Sequence, residues 1–346
     1  MRSATTEELG YRRPDVGGDD RSAAMLDSAD FARLTNPYRP ELLAYCYRML
    51  GSVHDAEDQL QEILVRAWRS YGQFEGRASL RTWLYRIAAN SCLRALENRS
   101  RRPLPAGLGG PADPDGPLDP AAAGVGWLEP FPDVLLAAES ADPAAIVTSR
   151  QDLRLALIAA LQYLPGRQRS VLILRDVLMW RAAEVAELLG TSTVAVNSVL
   201  QRARAGLRDA DPMRDEVREP ADARQRALVD QYAAAIENAD VTALTRLLQA
   251  DAAFEMPPVP TWFLGPEAIG RFMAVHVLRE PGDLRTIRTS ANGQPTLAVY
   301  QRDRDGVHRA HVVQVLTCTT AGIARIIAFR DPGLFTAFGL PPELPA

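Results

Sequence analysis

Two stretches of the chain have the apolar spacing of amphipathic helices, and one stretch between them is rich in turn-forming residues. From Asp27 to Arg102, and again from Ala144 to Asp209, apolar residues recur every three or four positions with few breakers, which predicts helical modules over 27–102 and 144–211. Residues 103–143 are dense in Pro, Gly and Asp, which predicts an irregular linker.

After residue 221 the pattern changes from helical to alternating. Three helices are expected first: Arg224–Asp240, Val241–Gln249 and Pro266–Leu278. Three or four Val-, Ile- and Thr-rich runs follow, separated by pairs typical of hairpin turns: Asn292-Gly293, Asp305-Gly306 and Ala321-Gly322. We therefore predict an α+β domain over 221–342 and a multidomain chain with two all-α modules before it.

The composition is that of a globular protein. The length of 346 residues suffices for two or three domains, and the absence of a long apolar run predicts no membrane contact. Residues 1–26 are charged and rich in Gly without the apolar core of a signal peptide, so we expect a disordered tail and a cytoplasmic protein. Cys46, Cys92 and Cys318 lie far apart, which predicts neither a disulfide nor a zinc site. No metal and no cofactor are expected.

The net charge of −4 conceals a basic block. Between Arg77 and Arg102 the chain has seven arginines and a single acid, Glu97. Because the distribution of charge, rather than its sum, determines a DNA footprint, this block is a candidate DNA-facing surface.

A predicted helix from His54 to Tyr71 has an acidic side. Its apolar residues recur at helical spacing and leave Asp55, Asp58 and Glu62 together on another face. On spacing alone, an ordinary solvated surface is a better interpretation of these charges than a binding site.

The next predicted helix, Leu80–Asn90, separates a core side from a polar side. Arg86 and Asn90 share the polar side with Thr82, and an arginine and an amide suit contact with phosphates and base edges. Trp83 lies on the apolar side, where a core position is a better interpretation than base stacking.

Residues 161–209 have the pattern of a helix-turn-helix. Gly190 forms the predicted turn, and Ser192 or Thr193 is expected to cap the second helix. Five polar residues are left on the outer face of that helix: Asn197, Ser198, Gln201, Arg202 and Arg204. Such a face suits the major groove, where Asn and Gln recognise adenine and Arg recognises guanine or phosphate. A purely structural helical hairpin is the alternative.

These segments resemble the extracytoplasmic-function (ECF) sigma factors of RNA polymerase. The string from Asp55 to Trp68 is similar to the polymerase-binding motif of sigma region two, and Leu80–Asn90 to its minus-ten segment. Leu164–Arg169, Glu184–Gly190 and Gln201–Leu207 resemble region four, although Asn197 and Val199 stand where basic residues are frequent.

The resemblance implies two partners, core RNA polymerase and promoter DNA. The residues implied to bind a basic coiled coil of the polymerase are Asp55, Glu57, Asp58, Gln61 and Glu62. Those implied to recognise and melt the minus-ten element are Arg77, Ser79, Arg81, Thr82, Arg86 and Asn90. Those implied to read the minus-thirty-five element are Thr193, Asn197, Ser198, Gln201, Arg202 and Arg204.

The last domain resembles the SnoaL-like cone-shaped α+β barrel. The strings Met256–Trp262 and Asp331–Phe335 carry this resemblance, and the fold serves both enzymes and protein-binding domains. Glu255, Trp262 and His276 are candidates for a ligand pocket, and no spacing marks an acid–base pair, so we predict no catalytic residue. The aromatic segment Trp127–Pro132 of the linker suggests a docking element, and a short apolar stretch without a partner is the alternative.

The sequence thus predicts a sigma factor that recognises promoters as a subunit of RNA polymerase, modulated by its own C-terminal domain through an intramolecular or small-molecule contact. Two other functions stay open: a one-component regulator that uses the helix-turn-helix alone, and a SnoaL-type enzyme with added DNA-binding domains.

Overall fold

The computed structural model describes residues 28–97, 99–137, 153–210 and 222–345. The tail predicted at 1–26 lies outside the described residues, as do the end of the predicted linker and the start of the second module.

The first module is a bundle of four helices: α1 (Ser28–Thr35), α2 (Arg39–Leu50), α3 (Val53–Ser70) and α4 (Leu80–Glu97). The side chain of Ser52 caps α3 by accepting a hydrogen bond from the backbone nitrogen of Asp55. Tyr45, Ile63 and Leu84 are fully buried between the helices. Trp83 packs against Phe74 and Tyr71 rather than standing free, as its position on the apolar side predicts.

The second module contains α6 (Leu155–Leu161), α7 (Gly166–Leu172), α8 (Ala182–Leu188) and α9 (Thr193–Ala210). A wider π turn, Ile173–Val177, continues α7. Gly190 has a φ of 59°, a left-handed conformation that suits glycine in the turn between α8 and α9. Ser192 accepts a hydrogen bond from the backbone nitrogen of Ala195 and caps α9. The predicted helix-turn-helix is therefore present.

The third module is a cone built on a curved sheet with helices at one side. Its helices are α10 (Asp222–Glu237), α11 (Val241–Arg246), α12 (Pro266–Phe272) and the short α13 (Leu334–Ala337). Its strands are β1 (Leu248–Glu255), β2 (Trp262–Leu264), β3 (Leu284–Ala291), β4 (Gln294–Arg302), β5 (His308–Thr319), β6 (Gly322–Phe329) and β7 (Glu343–Leu344).

The strand order in the described part of the sheet is β2-β1-β6-β5-β4-β3, and β7 pairs with β5. Only β1 and β6 run parallel among these pairs. The helix predicted over Val241–Gln249 ends at Arg246, because the chain from Leu248 onward pairs with β6. The helix predicted over Pro266–Leu278 ends at Phe272 and continues as a π turn to Val277. The strand β7 lies just beyond the boundary predicted at residue 342.

The linker is irregular but packed. Its described part holds one 3-10 turn, Pro105–Gly107, and the four-residue helix α5 (Val134–Ala137). Leu128 and Phe131 are fully buried, and Trp127 is 8% exposed. The docking expected of this aromatic segment therefore takes place within the chain, and residues 127–132 serve as a packed strap between the modules.

The three modules form one closed body. Tyr45 of the first module hydrogen-bonds Ser170 of the second over 2.9 Å between their hydroxyl oxygens, and the rings of Tyr85 and Trp180 lie 5.1 Å apart. Gly51, which ends α2, lies so close to Gln162 and Leu128 that a Cβ atom there would stand about 3 Å from both side chains. The second module and the strap thus meet at one point on the first module.

Candidate polymerase and promoter interfaces

The acidic side of α3 divides into an exposed part and a paired part. Asp58 and Gln61 are exposed, and Glu62 is half-exposed with an ion pair of 2.6 Å to Arg66 on the next turn. Such a surface pair is weak and easily exchanged. Glu57 is partly buried. Asp58, Gln61 and Glu62 therefore form an accessible acidic surface.

Asp55 is different, because arginines of the same chain hold it. Its carboxylate forms ion pairs with Arg99 and Arg102, and its side chain is only 18% exposed. Arg102 also donates a hydrogen bond to the carbonyl of Trp127 over 2.7 Å. In this arrangement Asp55 joins α3 to the start of the linker, so its predicted contact with the polymerase requires these pairs to open.

Several arginines predicted to meet minus-ten DNA have partners within the chain. Arg81 forms a bidentate ion pair with Glu41, at 2.6 to 2.9 Å, and its guanidinium lies 5.4 Å from the ring centre of Trp180. The hydrogen bond to Glu41 raises the pKa of Arg81, so the residue stays charged. Arg86 pairs with Glu187 of α8 over 3.3 Å. The second module thus covers part of the polar side of α4.

The other minus-ten candidates are more accessible. Arg77 is exposed in the loop before α4 and pairs with Glu75. Ser79 caps α4: its hydroxyl accepts from the backbone nitrogen of Thr82 over 3.1 Å and lies 2.8 Å from the Thr82 hydroxyl. Asn90 is exposed. The two ends of the polar side therefore face solvent while its middle meets the second module.

The recognition helix α9 presents most of its predicted face to solvent. The exposed members of that face are Thr193, Asn197, Ser198, Gln201 and Arg202. Val196, Leu200 and Ala203 are buried on the opposite side, as the apolar stripe predicts. Arg204 is exposed but forms a bidentate ion pair with Asp176, at 2.7 and 2.8 Å. Its geometry favours positioning of α9 over free contact with a phosphate.

The structure does not bring the three pocket candidates of the cone together. Glu255 is fully buried, forms an ion pair of 2.9 Å with Arg325 and accepts a hydrogen bond from the backbone nitrogen of Ala106 in the linker. Trp262 lies opposite Glu255 in the β1–β2 pair and donates to the linker carbonyl of Gly109 over 2.9 Å. His276 is exposed in the π turn after α12 and stacks on Phe272.

The linker therefore covers the surface of the cone around Glu255 and Trp262. Further contacts extend the covered area: Asp119 bonds to Thr261, and Arg271 pairs with Asp115 over 2.8 Å. A ligand pocket that includes these three residues remains a prediction. The sequence marked Glu255 and Trp262 as candidates but could not show that a segment more than 130 residues earlier covers them.

One residue that the sequence marked only as a turn former joins all three modules. Asn292 is fully buried in the β3–β4 turn with a φ of 57°, and its side chain donates to the hydroxyl of Tyr47 over 2.9 Å and to the carbonyl of Leu153. Its amide oxygen accepts from the backbone nitrogen of Phe131 over 2.8 Å. The Asn-Gly pair signals this turn, but no sequence signal reveals its role as a clamp.

Tyr47 extends the clamp. Its hydroxyl donates to the carbonyl of Glu129 over 2.8 Å, and its ring lies 4.8 Å from that of Phe131. Burial raises the pKa of Tyr47 far above its ordinary value, so the hydroxyl stays a neutral donor. The carboxylate of Glu129 accepts from Ser52 over 2.7 Å. The strap thus reaches the N-terminus of α3 next to the acidic surface.

Three family models match the chain in the order of the modules. Residues 34–102 match Sigma-70 region 2, residues 154–207 match Sigma-70 region 4, and residues 224–294 match the nuclear transport factor 2 (NTF2) domain. Over 327 residues the chain is 51% identical to the ECF RNA polymerase sigma factor SigG of Mycobacterium tuberculosis H37Rv, covering 94% of this chain and 87% of that protein. The chain belongs to the ECF RNA polymerase sigma factors. The resemblance identified in its motifs is confirmed.

A second relative shares the three-module architecture. The ECF sigma factor SigJ of M. tuberculosis H37Rv is 30% identical over 318 residues, which cover 86% of this chain and 91% of that protein. The crystal structure of SigJ matches 90% of this ECF factor and 99% of its own chain with a TM-score of 0.58 and 23% identity. The fold predicted from the sequence, two helical sigma domains followed by an α+β cone, is confirmed.

Among residues 28–97, 99–137, 153–210 and 222–345, no helix is long and apolar enough to cross a bilayer. Within the same ranges, no group of three or more His, Cys, Asp or Glu side chains is placed to hold a metal ion.

Proposed function

We propose that this sigma factor docks on core RNA polymerase in the cytoplasm through Asp58, Gln61 and Glu62 and reads promoter DNA through α4 and α9, and that its cone controls access to both. The observation that carries the proposal is the set of exposed polar residues on α9 over a buried apolar stripe, together with the exposed acidic turn of α3. A DNA-reading helix and an acidic docking face on separate modules fit a polymerase subunit better than a regulator that uses α9 alone.

The closed arrangement cannot serve both promoter elements at once. The minus-ten and minus-thirty-five elements are centred about 25 base pairs apart, which is roughly 85 Å along the duplex at 3.4 Å per pair. Here Arg86 of α4 touches Glu187 of α8 at 3.3 Å, and α8 packs directly on α9. With α8 between them, the axes of the two reading helices lie about two interaxial distances apart, roughly 20 Å at most. Promoter binding therefore requires the modules to separate.

The cone and the strap hold the closed arrangement. The clamp at Asn292 bonds to the first module, the strap and the second module, and Gln294 accepts a hydrogen bond from the backbone nitrogen of Leu155 at the start of α6. A domain that binds only the closed form shifts the population toward it. We infer that the cone restrains the sigma domains until a signal or the polymerase releases them.

The experiment that tests the proposed function is run-off transcription with purified core polymerase. Promoter-dependent transcripts that need the added chain support the proposal. A chain that binds promoter DNA alone with high specificity but directs no transcript would instead support the one-component regulator.

An enzymatic role for the cone is not favoured. Glu255, a fully buried acid of the cone, is paired with Arg325 and bonded to the linker, whereas His276 is exposed in the π turn after α12. General acid–base catalysis requires such groups within hydrogen-bond reach of a substrate. We therefore propose a regulatory cone rather than a catalytic one.

Substitutions on α9 should separate base reading from backbone contact. Replacing Asn197 or Gln201 with Ala is expected to cost roughly 1–3 kcal/mol at one base position each and to relax preference there, because an amide recognises a base edge. Replacing Arg202 with Ala should weaken all promoters alike and reduce the salt dependence of binding. Binding assays on a set of single-base promoter variants at several salt concentrations measure both effects.

Arg204→Ala is the informative comparison in the same helix. Because Arg204 is engaged with Asp176, its loss should lower the thermal stability of the second module more than it alters base preference. If the substitutions at Asn197, Gln201, Arg202 and Arg204 all lowered affinity equally and left base preference unchanged, base reading, backbone contact and positioning of α9 could not be assigned to different residues.

A further inference from the structure

A basic cavity lies where the first and second modules meet. Its volume is about 480 Å³, within the range of small-molecule sites. The end of α4 and the residues that follow it, including Ser100 and Arg101, form one side. The turn from α6 to α7, with Tyr163, forms the other. Both helical modules are thus needed to complete it.

The charge of this cavity is strongly one-sided. Four arginines line it, Arg99, Arg101, Arg102 and Arg169, and no carboxylate does so among the residues that the structure describes. Asp55 lies outside the cavity and pairs with Arg99 and Arg102. One carboxylate therefore stands against four guanidinium groups.

Arg169 is the most unusual member. It is 3% exposed, and its guanidinium donates to neutral oxygens only: the side-chain oxygen of Gln162 at 2.9 Å and the backbone oxygens of Met49, Gln162 and Leu164. Its Nε has no hydrogen-bond partner within the described chain. Burial lowers the pKa of Arg169 to about 10, so it stays protonated at neutral pH. A buried cation beside carbonyls alone is costly unless an anion accompanies it.

Arg101 stands at the mouth of the cavity. It is exposed, its guanidinium lies 4.4 Å from the ring centre of Tyr163, and it donates to the carbonyl of Gly107 over 3.3 Å. This stacking holds the guanidinium plane in place while leaving most of its donors available, which is the geometry that favours bidentate contact with phosphate oxygens.

We propose that this cavity binds a small molecule with two or more phosphate groups and that the bound ligand holds the two helical modules together. One phosphate group accepts bidentate bonds from at most two or three guanidinium groups, so four arginines suit an oligophosphate. Since the cavity exists only while the modules touch, its ligand binds the closed form alone and stabilises it. The regulatory half of this proposal rests on the proposed function, in which the modules separate on the promoter.

Binding is tested on the full chain without polymerase. Isothermal titration with inorganic tripolyphosphate, ATP and GTP, in magnesium-free buffer of matched ionic strength, should show one saturable site, whereas sulfate should bind at least tenfold more weakly. Equal affinity for the three probes would indicate that the site recognises the phosphate groups alone. Tighter binding of ATP or GTP than of tripolyphosphate would indicate additional contacts with the nucleoside. No saturable binding by any probe would overturn the proposal.

Arg101→Gln is the chosen variant, because Arg101 is exposed and its removal leaves Arg169 and the core intact. It should lower affinity for the oligophosphate at least tenfold with an unchanged melting temperature in the absence of ligand. The matched control is Arg279→Gln, an exposed arginine of the cone, which should bind as the parent does. Equal losses in both variants would mean general charge attraction and refute the site.

The second part of the proposal, that the ligand holds the closed form, is tested by measuring affinity for core polymerase. At a ligand concentration 100 times its dissociation constant, the apparent affinity for core polymerase should fall by about 100-fold in the parent protein, and much less in Arg101→Gln. Oligophosphate binding with unaltered core affinity would refute the locking role. If short duplex DNA competes with the oligophosphate for the parent protein, and Arg101→Gln loses both kinds of binding equally, the cavity binds the promoter backbone. That result would overturn the small-molecule proposal. A chain inactive in transcription that still binds tripolyphosphate would contradict the proposed function alone.

Discussion

Replacing Asn292 with Gly should open the closed sigma factor and raise its affinity for core polymerase. Glycine keeps the left-handed φ of 57° without strain, so the turn survives while three side-chain hydrogen bonds to Tyr47, Leu153 and Phe131 are lost. Each buried group left without a partner costs about 1–3 kcal/mol. A net loss of about 3 kcal/mol shifts the balance between closed and open forms roughly 100-fold.

Two measurements check this expectation. When only a small fraction of a protein is in the form that can bind, its apparent affinity is reduced by that fraction. Core binding should therefore strengthen by tenfold or more in Asn292→Gly, which has a larger open fraction. Small-angle X-ray scattering should show a larger radius of gyration in the free variant. Asn238→Ala is the matched control, since Asn238 is exposed just after α10 and its side chain donates to the carbonyl of Ala234 in the last turn of that helix. A compact variant with parental core affinity would contradict the clamp.

Reversing the charge of Asp58 and Glu62 together, each to Arg, should lower affinity for core polymerase by at least about 100-fold. The predicted partner surface is basic, and like charges placed against each other across an interface cost several kcal/mol. Folding should survive, because Asp58 is exposed and Glu62 loses only a surface pair with Arg66. Equilibrium binding to core polymerase measures the effect, which should shrink as salt rises.

The control for this pair is Asp251→Arg with Glu267→Arg, two exposed acids of the cone. It changes the net charge by the same amount at a distance from α3, so a general charge effect would appear in both double variants. If the Asp58 and Glu62 variant bound core as the parent does, the docking face would lie elsewhere.

Local patterns predicted the parts of this fold that depend on local contacts. The apolar stripes of α3, α4 and α9, the turn at Gly190 and the cap at Ser192 follow from side chains a few positions apart, and the structure has each of them. The change to hairpin turns after residue 221 likewise predicted the sheet of the cone. These features lie within one module each, where helical or strand periodicity determines which residues are buried.

Contacts between modules were beyond the reach of such patterns. Arg81 has the position of a DNA-facing residue, but its partners Glu41 and Trp180 lie 40 residues earlier and almost 100 residues later. Asn292 has the signature of a turn, and that signature is equally satisfied by an exposed hairpin. Periodicity identifies the polar side of a helix or strand. It does not show which distant residues pack against that side.

The clamp has a consequence for the exchange of parts between sigma factors. Tyr47, Phe131 and Asn292 come from three separate segments of the chain, and their polar atoms are satisfied only by one another and by neighbouring backbone. A cone transplanted from a relative that lacks this asparagine would leave the buried backbone nitrogen of Phe131 without its acceptor and remove one of the two hydrogen bonds of the Tyr47 hydroxyl. Chimeras designed to change promoter choice will therefore need to take the strap, the cone and α2 together from the same parent protein.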